Sequence, residues 1–158
     1  MRRHERLVLV TALRLTGSMA DAQDVAQEVF LKLYRHYRKI EPAAVPAWLY
    51  RVTVNAAYDA LRRRRPEEPV EEAGEVASTA ADPQQELTAA ERRRVLALSL
   101  RQLPEKERAA LVLRDLEGLT TEETAAILGS SAATVRSQVS KARVKVKDFV
   151  ERYFRRRT

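Results

Sequence analysis

Thr120-Thr121-Glu122-Glu123-Thr124-Ala125-Ala126-Ile127-Leu128-Gly129-Ser130-Ser131-Ala132-Ala133-Thr134-Val135-Arg136-Ser137-Gln138-Val139-Ser140-Lys141-Ala142-Arg143 is the stretch on which the reading of this chain turns. Thr120-x-x-Glu123 has the form of a capping box and opens a short helix ending near Leu128. Gly129 then lets the chain reverse, because glycine reaches positive φ without a Cβ clash. Ser131 is the N-cap of a last helix running to about Arg152. A short helix, a tight glycine turn and a longer basic helix form the tri-helical arrangement that places its second helix in the major groove of DNA. Val135, Val139 and Ala142, with Ala125 and Leu128 across the turn, supply the apolar seam. Arg136, Ser137, Ser140, Lys141 and Arg143 remain as donors, and Lys145, further from the helix start, is expected on phosphate.

Upstream, Pro104-Glu105-Lys106-Glu107 opens a helix lasting to about Leu116, where Gly118 breaks it. Asp82-Pro83-x-Gln85 and Thr88-x-x-Glu91 are both start signals for a helix reaching about Gln102. The first 65 residues predict three more helices: 3–16 stopping at Gly17, 18–38 opened by Ser18-x-x-Asp21, and a third starting with Pro46 at its first position and ending before Pro66. On the second, Val25, Val29 and Leu33 form a stripe extended by Phe30 and Tyr37, and the other face shows Asp24, Gln27, Glu28 and Lys32. Only four glycines and six prolines punctuate the chain, too few for strands and turns, so the fold class is all-α.

Charge divides the chain in three. Residues 1–65 hold 13 Lys/Arg against 6 Asp/Glu, residues 66–90 none against 7, and residues 91–158 16 against 9, so the net +7 conceals two basic blocks around an acidic one. Its opening stretch, Pro66 to Glu75, has two prolines and little to bury, and the segment reads as a flexible linker over 66–81 between helical domains at 1–65 and 82–158. Two basic blocks point to a polyanionic partner.

Ala12-Leu13-Arg14-Leu15-Thr16-Gly17, Asp24-Val25-x-Gln27-Glu28-Val29-Phe30, Trp48-Leu49-Tyr50-Arg51-Val52-x-x-Asn55 and Asp59-x-x-Arg62 together resemble region 2 of an extracytoplasmic-function (group IV) bacterial RNA polymerase sigma factor. Leu103-Pro104-x-x-x-Arg108, Glu117-Gly118-Leu119-Thr120-x-x-Glu123 and Leu128-Gly129-x-Ser131-x-x-Thr134-Val135-x-Ser137, followed by Lys141-Ala142-Arg143, resemble region 4 of the same family. The resemblance implies a factor that binds core RNA polymerase, at the β′ clamp helices and the β flap, and directs initiation at promoter DNA. It assigns Asp24, Gln27, Glu28, Phe30 and Leu31 to the polymerase, and Trp48, Val52, Asn55, Asp59, Arg62 and Arg63 to the −10 element, where a base is turned out of the duplex. Ser131, Thr134, Arg136, Ser137, Ser140, Lys141 and Arg143 fall to the −35 element. An anti-sigma protein is a further implied partner.

Other functions meet specific objections. With no cysteine, and with His4 and His36 far apart, thiolate and histidine metal sites are not expected, nor is any cofactor. No Gly-rich phosphate loop or nucleophile–base pair argues for an enzyme. No apolar run approaches the ~18 residues of a membrane helix, and the N-terminus is too short in apolar residues for a signal peptide, so the expected location is cytoplasmic, without membrane insertion. A stand-alone helix-turn-helix regulator is the alternative; it accounts for 82–158 but leaves the tryptophan-bearing first domain without a task.

Overall fold

The computed structural model describes residues 2–64 and 88–157. The acidic segment 66–81 and the Asp82-Pro83 start signal lie outside the described residues. Helix α1 (Arg2–Thr16) ends where Gly17 takes a φ of 71° and returns its N–H to the Leu13 carbonyl at 2.8 Å. Ser18 Oγ accepts from the Asp21 N–H and opens α2 (Met19–His36). Two short 3₁₀ turns, Tyr37–Lys39 and Pro42–Ala44, lead into α3 (Val45–Arg63), which begins one residue before Pro46.

Thr88 and Glu91 form a complete capping box (3.2 Å from the Glu91 N–H to Thr88 Oγ1, 3.0 Å from the Thr88 N–H to Glu91 Oε2) that starts α4 (Ala89–Arg101). Pro104 caps α5 (Glu105–Leu111) from just outside it. The expected uninterrupted helix to Leu116 instead widens into a π turn, Val112–Leu116, whose Glu117 N–H reaches back five residues to the Val112 carbonyl at 2.9 Å. Asp115 and Glu117, two residues apart at this turn, point to opposite partners. Helix α6 (Thr121–Leu128) is capped by Thr120 and closed by Gly129 at a φ of 63°. Helix α7 (Ala132–Arg155) outruns the expected end at Arg152, with Phe149 and Tyr153 stacked at 6.2 Å and the Arg157 guanidinium 4.8 Å over the Tyr153 ring.

Helices α1, α2 and α3 pack on one another around Val8, Ala12, Ala22, Val25, Val29, Leu49 and Ala56. A second core is not confined to the C-terminal half. It joins Leu15 of α1 and Tyr50, Val54 and Ala57 of α3 to Leu100, Leu103, Leu113, Val135, Val139 and Ala142. Each large apolar side chain buried there stabilises the fold by about 1.5–3 kcal/mol. The two halves therefore meet through side chains directly, with α1 against α4 and α5 and with α3 against α6.

Candidate nucleic-acid interface

Helix α2 buries Ala22, Val25 and Val29 and turns Asp24, Gln27 and Leu31 outward. Glu28 is half-buried and pairs with Lys32 at 3.2 Å. Phe30 packs onto the first core and so is divided between the fold and the outer face. Tyr37 does not extend the buried stripe: α2 stops at His36, and Tyr37 lies 52% exposed in the following turn. Tyr34, 81% exposed, continues the outward face one turn beyond Leu31. The sequence reading passed over it, although Gln27, Leu31 and Tyr34 stand at i, i+4, i+7, which carried the signal.

Trp48, Val52, Asn55, Asp59 and Arg62 recur on α3 at four, three, four and three residues, which is one helical stripe. Asn55, Asp59, Arg62 and Arg63 are exposed, while Trp48 and Val52 are half-buried against the first core. The Trp48 ring lies 6.5 Å from that of His36 and lines an open cleft of about 480 Å³ with Arg51 on α3 and Leu119, Glu123 and Ile127 of the other half. The basic end of α3 is partly engaged. Arg62 lies 3.7 Å from Glu105, Arg63 Nε donates to the Asp59 carbonyl at 3.4 Å, and Arg64 pairs with Asp21. Two of those partners lie on other helices, so no local pattern announces them.

On α7, Val135, Val139 and Ala142 face inward as the spacing predicts. Ser131 Oγ accepts from the Thr134 N–H at 3.1 Å and hydrogen-bonds the Thr134 hydroxyl at 2.8 Å, so both residues serve the cap. Arg143 grips Asp115 with two 2.7 Å hydrogen bonds. That hydrogen-bonded pairing holds the Asp115 carboxyl below the ordinary carboxylate range and pushes the Arg143 guanidinium up. Lys145, expected on phosphate, instead holds both Glu107 oxygens at 3.0 and 2.8 Å. Arg143 and Lys145 flank the seam, close enough to α5 and the π turn to find acids there. Ser137, Ser140, Lys141 and Val144 lie opposite the seam with Arg136 beside them, all exposed. No hydrogen bond or ion pair among the described residues engages Arg136 or Lys141. Val144, 57% exposed, is an apolar member of this face that the sequence reading omitted; its offset of two from Ala142 marks it as off the seam.

Arranged this way, α7 offers the parts of a groove-reading surface: a cationic fork at Arg136, a point charge at Lys141, two hydroxyls and a methyl-bearing side chain suited to thymine. Among the described residues no group of three or more His, Asp or Glu side chains could hold a metal ion, and no helix is long and apolar enough to cross a membrane.

Residues 1–67 match the family Sigma-70 region 2, and residues 93–146 match Sigma-70, region 4. The ECF RNA polymerase sigma factor SigE of Mycolicibacterium smegmatis is 35% identical over 97% of this chain, which spans 61% of that relative's length. The ECF RNA polymerase sigma-E factor of Escherichia coli K12 is 35% identical over 86% of this chain and 77% of its own. Among solved structures, the sigma factor RpoE in complex with the anti-sigma factor NepR from Bartonella quintana shares the fold, with a TM-score of 0.72 at 24% identity over 94% of this chain and 92% of that one. Identity at this level over most of both chains, with the two regions in order on the helices described, places the chain in the extracytoplasmic-function family of bacterial RNA polymerase sigma factors.

Proposed function

We propose that this chain binds core RNA polymerase through the outer face of α2, handles the −10 element with the exposed stripe of α3, and reads the −35 element with the N-terminal part of α7. The observation that carries the reading is the pairing, in one chain, of the two matched regions with an outward α7 face on which Arg136 and Lys141 have no intramolecular partner among the described residues. On α2 the docking residues are Asp24, Gln27, Glu28 and Leu31, with Tyr34 beside them; Phe30 supports them from the core. On α3 they are Trp48, Val52, Asn55, Asp59, Arg62 and Arg63. On α7, Arg136, Ser137, Ser140 and Lys141 face the bases, Ser131 and Thr134 position the helix start, and Arg143 acts by bracing α7 against the π turn. An anti-sigma protein is the regulatory partner, by analogy with the relative solved in complex with one.

Run-off transcription with core polymerase on a genomic promoter library tests the reading: added chain should produce specific transcripts. Charge reversal at Asp24 combined with Gln27→Ala should abolish polymerase pull-down while helicity stays unchanged. A chain that binds promoter duplexes but neither captures core polymerase nor supports transcription would instead be the stand-alone regulator.

A further inference from the structure

Projected down the axis of α7, Arg136, Lys141, Arg143 and Lys145 fall on two rails, one on each flank of the buried seam. Arg143 follows Arg136 by seven residues, which returns it to within about 20° of the same direction and roughly 10 Å further along the helix. Lys145 follows Lys141 by four, about one turn on along the other flank. On each rail the cation nearer the helix start has no hydrogen bond or ion pair among the described residues, and the farther one is held by an acid. Arg143 makes two 2.7 Å hydrogen bonds to Asp115, and Lys145 holds the Glu107 oxygens at 3.0 and 2.8 Å. Both acids come from the segment packed against α7, Glu107 from α5 and Asp115 from the π turn that follows it. Arg114, next to Asp115, is engaged elsewhere: it donates to Thr121 Oγ1 and to the Leu119 carbonyl, each at 3.2 Å.

The acids are more enclosed than the cations they hold. The side chains of Glu107 and Asp115 are 13% and 25% exposed, against 46% for Lys145 and 60% for Arg143. A phosphate that drew either cation away would leave a partly desolvated carboxylate without its partner, and that loss opposes the exchange. Affinity for DNA that is independent of sequence grows with the number of phosphates neutralised, and those contacts carry no base information. Cations aligned with the reading face but already neutralised within the chain add little to that count.

We propose that Asp115 and Glu107 limit the sequence-independent part of DNA binding by α7: they hold Arg143 and Lys145 back from phosphates and confine the cationic reach of the helix to the turns that carry Arg136 and Lys141. The inference rests on the assignment of α7 to −35 DNA above. It gives the two acids a task besides bracing the helix, because a brace alone fixes an angle, whereas a neutralising acid also changes how many counterions the DNA releases.

Binding of the full chain with core polymerase to a matched −35 duplex and to a scrambled one of equal length is measured across a salt series, for the native chain, Asp115→Asn and Glu107→Gln. Both substitutions remove a charge at nearly constant size. Asp115→Asn should tighten binding to the scrambled duplex several-fold at low salt and steepen the slope of log affinity against log salt by about 0.9. Its advantage over the native chain should therefore shrink roughly threefold between about 50 and 200 mM salt. Glu107→Gln should act the same way but less, because Asp148, three residues beyond Lys145 on α7, still draws that lysine. Adding Arg143→Gln to Asp115→Asn, or Lys145→Gln to Glu107→Gln, should return the slope to the native value. Native slopes in both single variants, weaker binding at every salt with no change of slope, or slopes that stay steep once the cation is gone would overturn the proposal. A native complex that does not prefer the matched duplex, with the slopes shifting as expected, would overturn the −35 reading instead.

Discussion

Helices α3 and α7, the two proposed to meet DNA, are built in opposite ways. Helix α3 is packed on two sides: it buries Leu49, Tyr50, Thr53, Val54, Ala56 and Ala57, contributes to both cores, and leaves one narrow stripe for ligand. Helix α7 is longer yet buries only Val135, Val139 and Ala142, so most of its circumference is free to vary. Function and fold are interleaved residue by residue on α3, whereas on α7 they occupy separate faces. Base capture needs a shaped and supported pocket, while groove reading needs only a helix held at the right angle with its outer face bare.

The comparison is broken most directly by truncation of matched apolar residues. Leu49→Ala in α3 should cost about 2–5 kcal/mol in urea unfolding, because the site is fully enclosed and leaves a cavity. Val144→Ala on the outer face of α7 should stay within about 0.5 kcal/mol. Comparable losses at the two sites would show that α7 is buried in a way the structure does not contain.

Next in size is a change that should affect binding without affecting stability. Arg136→Ala should weaken binding of the chain with core polymerase to matched −35 DNA by about 1–3 kcal/mol and relax preference at one base pair, with the melting temperature unchanged. Equal losses on matched and mutated duplexes would assign Arg136 to phosphate and move direct readout to Ser140 and Lys141.

A smaller effect concerns how α7 is braced. Because Arg143 depresses the folded-state pKa of Asp115, the pair contributes stability above the ordinary value of 3.8, and that contribution is lost as the pH falls through the lowered folded value. Asp115→Asn should therefore be less stable than the native chain at neutral pH and converge with it in acid. Since the Arg143 side chain is 60% exposed, the gap should be under about 1 kcal/mol after solvent screening. A gap that persists undiminished at pH 2 would assign the loss to packing.

The smallest effect is on α3. Thr53 is fully buried and its hydroxyl has no partner among the described residues, so Thr53→Val removes an unpaired polar group at nearly constant shape. Chemical denaturation should find it neutral or stabilising by up to about 1 kcal/mol. Clear destabilisation would reveal a hydrogen bond made through that hydroxyl.

Much of the architecture was legible locally. Ser18, Thr88, Thr120 and Ser131 cap helices where their spacing to the next polar residue placed them, and Gly17 and Gly129 adopt the positive φ their positions implied. These features depend on backbone groups three or four residues away, so the chain announces them directly. The α7 seam was legible for the same reason. Tyr37 was misjudged because a periodic pattern says nothing about where a helix yields to a 3₁₀ turn, and the ion pair of Lys145 went unread because its partner Glu107 lies on a different helix.

By itself, then, the amino-acid sequence determined the all-α class, nearly every helix start, the inward face of α7 and the ordered motifs that mark the family, since each depends on contacts within about one helical turn. Only the tertiary structure decided which cations are paired within the chain. It set Arg143 against Asp115 and Lys145 against Glu107, left Arg136 and Lys141 outward, and used Glu117 to join the two halves. A charge on a helix surface is free or committed according to what packs opposite it, and packing between remote segments follows from the shapes of whole helices, which no local spacing encodes.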